Sequence, residues 1–188
     1  MTTLEDLLVD QVRDLYDAEK QLVRALPKMA EAATSDDLQQ AIQGHLEETK
    51  NQVSRLERIF DQLDQPAKGK SCKAMKGLVE EGGEAADDDS EEPLTDLAII
   101  AAAQRIEHYE ISAYGTARTI ARQLGQGTIA SLLEETEEEE KAADMKLTEI
   151  ATGLLGQARD SRDMDEAETG PRRKKTPPAS ASRRAARG

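Results

Sequence analysis

Two carboxylates lie on what must be the buried face of a helix, in the stretch from Thr95 to Leu124. At about 100° per residue, one apolar stripe runs along this stretch, with Glu110 near its middle and Glu107 at its edge. The stripe consists of Ile99, Ala103, Ile106, Ala113, Ala117, Ile120 and Leu124. Moving a carboxylate out of water costs several kcal/mol unless a cation, a metal or hydrogen bonds compensate it. The two glutamates therefore require compensating groups from other parts of the fold.

Apolar residues recur with helical spacing in four long segments of the chain. They predict helices over 3–32, about 35–63, 95–124 and 128–155. A shorter helix over 72–80 and an exposed loop over 81–92 would connect the second long helix to the third. Four long helices with one long crossover predict an all-α, ferritin-like antiparallel four-helix bundle with a short crossover helix.

The composition agrees with helix packing and limits the choice of metal ligands. With one Phe, three Tyr and no Trp, the apolar residues are mainly Leu, Ile, Val and Ala. A single cysteine, Cys72, excludes an internal disulfide and a thiolate cluster, so a metal must use oxygen and imidazole ligands. Neither a signal peptide nor a membrane-length apolar run is recognisable, so we expect a soluble, cytoplasmic protein that makes no membrane contact.

Charge divides the chain into an acidic body and a basic tail. Seven basic residues and no acidic ones lie in 171–188, which leaves 18 basic against 38 acidic residues in 1–170. Apolar periodicity is lost from Ala158 onward, and the Pro-, Arg- and Ser-rich end cannot bury a core. We therefore predict one bundle domain over 1–157 and a disordered basic tail over 158–188.

Three of the four predicted long helices bring carboxylates to their apolar stripes. These residues are Glu19, Glu107, Glu110, Glu140 and Asp144. A spacing of three or four residues puts both members of a pair on one face. Clustered carboxylates repel one another unless a cation lies between them, and oxygen ligands with an imidazole suit iron or manganese. The pattern predicts a two-metal centre. The alternative is a solvated acidic face, since a run such as Glu134–Glu140 points some member inward by chance.

The second helix offers the imidazole. His45 lies near the edge of its apolar stripe, and Glu48 follows one turn later. A lone histidine is more often hydrogen-bonded within a fold than bound to a metal, so His45 is the weakest of the candidates. His108, on the opposite side of its helix from Ile106, is expected to be exposed.

Four blocks of sequence resemble the YciE/YciF family of ferritin-like stress proteins, over about Leu4 to Ala151. They are Leu15-Tyr16-Asp17-Ala18-Glu19, His45-Leu46-Glu47-Glu48-Thr49, Glu107-His108-Tyr109-Glu110-Ile111 and Glu139-Glu140-Lys141. The resemblance, which extends to rubrerythrins, implies an antiparallel bundle, a homodimer, a di-iron or di-manganese site and a link to general stress. By that likeness Glu19, Glu107, Glu110 and Glu140 match the metal-site carboxylates, and Asp144 lies one turn beyond.

The chain departs from the Glu-x-x-His pattern of the wider ferritin group. Lys50 and Asn51 stand three residues after Glu47 and Glu48, and Ala143 stands three residues after Glu140. His45, three residues before Glu48, is then the candidate nitrogen ligand on the second helix. The missing histidines bear on whether such a site is redox active.

Two functions are compatible with these features. One is a di-metal protein that reacts Fe(II) or Mn(II) with peroxide or oxygen under stress, with Tyr109 or Tyr114 shielding the site. The other is a helical-bundle stress or interaction protein without a functional metal site. Separately, the basic tail could make weak, salt-sensitive contacts with nucleic acid.

The tail gives the first testable prediction. Limited trypsin digestion should remove the residues beyond about Arg172 and leave a helical body, because a chain without a core exposes its cleavage sites. Mass spectrometry and circular dichroism would follow the product, with a chain ending at Gly170 as the control. A tail that resists trypsin without any partner would contradict the prediction. If the tail binds DNA, affinity should fall steeply with salt and be lost in the truncated chain.

Overall fold

Five α-helices make up the computed structural model, which describes residues 2–87, 90 and 92–169, the last twelve as backbone only. The helices are α1 (Leu4–Ala32), α2 (Asp36–Gln62), α3 (Lys73–Ala86), α4 (Leu94–Gln123) and α5 (Gly127–Thr169). No strand occurs among these residues. Short turns join α1 to α2 and α4 to α5, and α3 packs against α1 and α4 as the crossover. The all-α bundle with a short crossover helix is confirmed.

Local signals fix where the first two helices begin. At α1, the Thr3 hydroxyl accepts a hydrogen bond from the Asp6 backbone N–H (3.1 Å), and the Asp6 carboxylate accepts one from the Thr3 N–H (3.3 Å). This reciprocal capping box satisfies two backbone donors that the first turn leaves free. At α2, Ser35 is the N-cap, as the Thr34–Asp37 segment predicts.

A buried carboxylate from the second hairpin clamps the α1–α2 turn. Asp96, only 1% exposed at the start of α4, accepts three hydrogen bonds of 2.8 Å. The donors are the backbone N–H and hydroxyl of Thr34 and the backbone N–H of Ser35. The two hairpins are thereby joined at one end of the bundle by a charged acceptor.

The core consists of two apolar clusters stacked along the bundle. One is centred on Leu22, Leu26 and Met29 of α1 and reaches Leu147 and Leu154 of α5. The other contains Leu8, Leu15, Leu56, Phe60 and Tyr114, with the Tyr16 and Phe60 rings edge to face at 5.5 Å. Buried polar residues of four helices lie at the level between the two clusters.

The crossover helix is longer than the sequence predicts. α3 continues to Ala86, six residues past the expected end at residue 80. Residues 81–86 of the expected loop are therefore helical. The added turns pack against α1, where Gly82 is buried and a Cβ on it would lie 3.3 Å from the Met29 sulfur. Without a side chain it lets α3 pack closely on α1. Residues 88, 89 and 91 of the expected loop lie outside the described residues.

The last helix also runs beyond its expected end near Leu155. Its backbone is helical to Thr169. Neither glycine nor proline occurs in 158–169, and the first such stop is Gly170-Pro171. The domain boundary at 157 remains a prediction, and the basic segment 170–188 lies outside the described residues.

Within the described part of the chain, none of the helices combines the length and apolar character that crossing a membrane requires.

The Asp96 clamp predicts a measurable loss of stability. Asp96→Asn keeps the volume but removes the charge and one acceptor oxygen, so the free energy of unfolding should fall by about 1.5–3 kcal/mol. Urea unfolding followed by circular dichroism measures the change. The matched control is Asp37→Asn in the exposed first turn of α2, which should lose no more than about 1 kcal/mol of helix-dipole interaction. Equal losses in both variants would contradict the clamp.

Candidate metal centre

Four helices place ionisable side chains in the polar layer between the two apolar clusters. α1 contributes Glu19, α2 contributes His45, α4 contributes Glu107 and Glu110, and α5 contributes Glu140. None is more than 8% exposed. The helical spacing that puts them on the apolar stripes therefore also puts them inside the bundle.

Four of these five residues form a compact group of metal-ligand atoms. His45, Glu107, Glu110 and Glu140 each offer one nitrogen or oxygen atom, and these atoms all lie within 4.8 Å of one another. The His45 Nε2 is 3.5 Å from Glu107 Oε1 and 3.7 Å from Glu140 Oε2. One imidazole and three carboxylates are a donor set that suits iron or manganese.

Neighbouring polar groups hold two of the carboxylates in place. The Gln52 amide donates a 2.6 Å hydrogen bond to Glu140 Oε1, and the Tyr114 hydroxyl donates one to Glu19 Oε1. Arg55 in turn binds Glu139 at 2.8 and 2.9 Å, next to Glu140 on α5. The second oxygens of Glu19 and Glu140 are buried and make no hydrogen bond in the described structure.

Several buried atoms of the layer lack hydrogen bonds within the described structure. They are Glu19 Oε2, both ring nitrogens of His45, Glu107 Oε2, both oxygens of Glu110, and Glu140 Oε2. An unsatisfied buried acceptor costs about 1–3 kcal/mol, and more when it is charged. Free lone pairs on carboxylates and an imidazole are what a divalent cation binds, so the residues fit a metal.

Burial and mutual repulsion make these carboxylates hold their protons. Burial raises the pKa of Glu19 from 4.5 to about 8, and the Glu140 carboxylate adds to the rise while the Tyr114 hydrogen bond opposes it. Burial likewise raises the pKa of Glu107 to about 8. The pKa values of Glu110 and Glu140 also lie well above the ordinary range, mainly because both side chains are buried.

The pKa of His45 is also raised, but by neighbouring carboxylates and not by burial. Burial by itself lowers its pKa, but the carboxylates of Glu48, Glu140 and Glu19 outweigh that effect and raise the pKa above 6.5. In the metal-free protein, the His45 imidazole is therefore protonated more readily than a histidine in water.

Two residues predicted from the sequence lie at the margin of the layer. Glu48 has a side chain 53% exposed, and its Oε2 is 3.5 Å from His45 Nδ1. Asp144, 22% exposed, accepts a 2.9 Å hydrogen bond from Gln104 and lies 3.4 Å from the exposed His108 ring. The compact ligand group does not include either residue.

Sequence reasoning missed the roles of Gln52 and Arg55. Both are buried on α2, three residues apart, and both bind α5. The signal available in the sequence was that this Gln and this Arg, three residues apart, share one face of the predicted helix. Two tyrosines were candidates for shielding the site, and of these Tyr114 reaches the layer through its bond to Glu19. The Tyr109 hydroxyl instead donates to Asp14 at 2.7 Å and lies 3.0 Å from the Cys72 sulfur.

With this geometry in place, comparison with known proteins identifies the family. Residues 3–159 match the family model described as "Domain of unknown function (DUF892)". The chain belongs to this family. It is 47% identical to protein YciF of Escherichia coli (strain K12) over 152 residues, which is 80% of this chain and 92% of that protein. The YciE/YciF resemblance drawn from the sequence blocks is confirmed.

Solved structures agree with the fold. The crystal structure of the E. coli stress protein YciF has a TM-score of 0.80 at 45% identity, covering 83% of this chain and 99% of that one. YcfI from Rhodopseudomonas palustris has a TM-score of 0.76 at 46% identity, covering 78% and 94%. A protein from Xanthomonas campestris pv. campestris shares the fold at 18% identity, with a TM-score of 0.68 and coverage of 86% and 99%.

The raised pKa values predict how the stability of the metal-free protein depends on pH. Glu19 and Glu107 bind more protons folded than unfolded between their unfolded pKa of 4.5 and their folded pKa of about 8. The stability that these two glutamates contribute should therefore be fully present below about pH 4.5. It should be lost as the pH rises towards 8, by up to about 1.4 kcal/mol per pH unit for each proton. His45 acts in the same direction above pH 6.5.

Chelator-treated protein unfolded in urea at a series of pH values would measure this slope. Glu110→Gln removes one buried titrating group and should flatten it, whereas the exposed Glu138→Gln should leave it unchanged. A metal-free protein that becomes more stable between about pH 5 and pH 8 would contradict this pH dependence.

Proposed function

We propose that this protein is a ferritin-like carboxylate protein that binds iron or manganese as a di-metal centre and acts in stress protection. The observation that carries the proposal is the set of buried ligand atoms without hydrogen bonds that converge from four helices. The stress role is supported by similarity to a protein described as the E. coli stress protein YciF. The cytoplasmic location remains a prediction from the sequence, and the homodimer remains a prediction from the family resemblance.

The residues divide into ligands and the groups that orient them. His45, Glu107, Glu110 and Glu140 would hold one ion, and Glu19, whose free Oε2 lies in the same layer, would serve a second. Bound iron or manganese would supply one-electron chemistry toward oxygen or peroxide. Gln52 and Tyr114 each fix one oxygen of a ligand carboxylate, which leaves the other oxygen available.

The ligand set is rich in carboxylate and has one imidazole. Lys50 and Ala143 stand where the Glu-x-x-His pattern would place further histidines. Lys50 is 48% exposed and pairs with Glu47 at 2.6 Å. Carboxylate ligands suit Mn(II), although a given site of nitrogen and oxygen ligands generally binds Fe(II) more tightly. We therefore expect both Mn(II) and Fe(II) to bind.

A second candidate is the bundle without a functional metal. The observation in its favour is that protons can neutralise the layer, because burial raises the pKa of Glu19 and Glu107 to about 8. With its glutamates protonated and His45 charged, the bundle would need no metal ion and would act as an interaction or structural protein. Metal content after purification without chelators separates the two candidates.

The metal proposal predicts a rise in melting temperature with Mn(II) or, without oxygen, Fe(II). An ion that binds only the folded state at about 100 times its Kd adds about 2.7 kcal/mol of stability. Glu110→Gln with Glu140→Gln removes two anionic ligands at nearly constant volume. That double variant should melt above the metal-free wild type, because glutamine avoids the cost of keeping two buried carboxylates protonated or charged, and should no longer respond to metal.

The exposed pair Glu138→Gln and Glu149→Gln is the matched control for the loss of two charges and should keep the full response. Differential scanning fluorimetry with elemental analysis measures both quantities. If the wild type shows no shift with either ion, or the double variant binds metal as well as the parent, the metal-free candidate is favoured.

A further inference from the structure

A cavity of about 290 Å³ lies between α2 and α5 and reaches the ligand group. Its deep walls are apolar, formed by Leu26 and Met29 of α1, Ile42 of α2, Ala103 of α4 and Leu147 of α5. Each of these residues is at most 5% exposed. The lining also includes His45 and Glu107, so an apolar space adjoins the polar layer.

Small residues keep this side of the bundle open. α2 presents Ala41 and Gly44 to the cavity, and α5 presents Ala142 and Ala143. A Cβ built at Gly44 would meet no atom within 4 Å. The space therefore follows from side chains that are too short to close it.

The cavity is larger than a small oxidant needs. One water molecule requires a cavity of about 10–15 Å³, whereas pockets for small organic molecules have volumes from about 300 Å³ upward. A passage for peroxide or oxygen alone would leave most of the volume empty. Its size and apolar walls instead fit a small organic molecule.

The polar end of the cavity restricts the charge of that molecule. His45 is 8% exposed, and neither of its ring nitrogens makes a hydrogen bond in the described structure, nor does Glu107 Oε2. Glu48 and Glu139 also line the cavity, and its lysine, Lys146, pairs with Glu149 at 3.1 Å. An anion would lose its hydration here without gaining an unpaired lysine or arginine among the lining residues, whereas a neutral hydroxyl can donate to a free carboxylate oxygen.

We propose that the α2–α5 cavity binds a small, neutral, largely apolar alcohol or phenol, with its hydroxyl at His45 and Glu107 and its apolar part between Met29, Ile42 and Leu147. This names the class of organic ligand that would lie beside the metal centre, and in that respect it rests on the proposed function. The cavity itself exists without the metal, so the two ideas can fail separately.

Benzyl alcohol is the probe, and benzoate is its anionic counterpart of similar size and shape. Ligand-observed NMR on the chelator-treated full chain should detect binding of benzyl alcohol, with benzoate at least about tenfold weaker. Gly44→Leu and Ala142→Leu place a side chain in the cavity and should each weaken benzyl alcohol binding by at least about tenfold. Circular dichroism should show both variants to be folded, since leucine is a better helix former than glycine and ranks next to alanine.

Gly77→Leu is the matched control, because Gly77 is also helical with open space around it but lies on α3, away from the cavity. It should bind benzyl alcohol as the wild type does. Equal binding by Gly44→Leu, Ala142→Leu and Gly77→Leu, or binding of benzoate as tight as benzyl alcohol, overturns the proposal. So does the absence of benzyl alcohol binding to the wild type.

A second arm tests the position of the probe relative to the metal. In Mn(II)-loaded protein, the paramagnetic ion should broaden the resonances of bound benzyl alcohol, most strongly at the CH₂ beside the hydroxyl. If Mn(II) fails to stabilise the wild type while benzyl alcohol still binds in the Gly44-sensitive manner, the metal function fails and the cavity site stands. Binding of benzyl alcohol without any broadening in Mn(II)-loaded protein overturns its placement at the centre.

Discussion

The burial of carboxylates at mid-bundle is the constraint on which the rest of the structure depends. Glu19, Glu107, Glu110 and Glu140 occupy a layer that apolar side chains would otherwise fill, and so the core is split into two clusters. Each carboxylate is costly to bury alone, and their repulsion adds to that cost. The layer is stable only if protons, hydrogen bonds or a cation neutralise it, and the surrounding helices supply only part of the hydrogen bonding.

The hydrogen bonds that do exist are arranged to leave oxygens free. Gln52 holds one oxygen of Glu140, Tyr114 holds one oxygen of Glu19, and Glu110 receives none in the described structure. Asp96, by contrast, has both of its buried oxygens satisfied, and its role is to join the hairpins. The same bundle thus satisfies a carboxylate completely where it is structural and incompletely in the central layer. That contrast supports ligand binding in the layer.

Helical periodicity was sufficient to predict the elements and the inward position of the central carboxylates, because 3.6 residues per turn fixes which side chains share a face. It could not predict that Gln52 reaches Glu140, since that contact depends on how α2 and α5 are placed relative to each other. The predicted end of α3 is wrong, because two adjacent glycines usually end a helix, whereas Gly82 here packs closely on Met29. Asp144 shares a face with Glu140 but lies one turn away, where it meets Gln104 instead of the ligand group.

The packing around the layer is not equal on all sides, and this asymmetry determines how the centre can be reached. Tyr114 closes the α1 side of the layer through its bond to Glu19, and Gln52 and Arg55 join α2 to α5 on one side of His45. On the other side of His45, Gly44 and Ala142 leave the two helices unfilled. Filling such a space with methyl groups would normally add stability, since each buried CH₂ contributes about 0.8 kcal/mol. A bundle that leaves this opening beside its one buried imidazole gives up stability at the position where an outside molecule would have access to the centre.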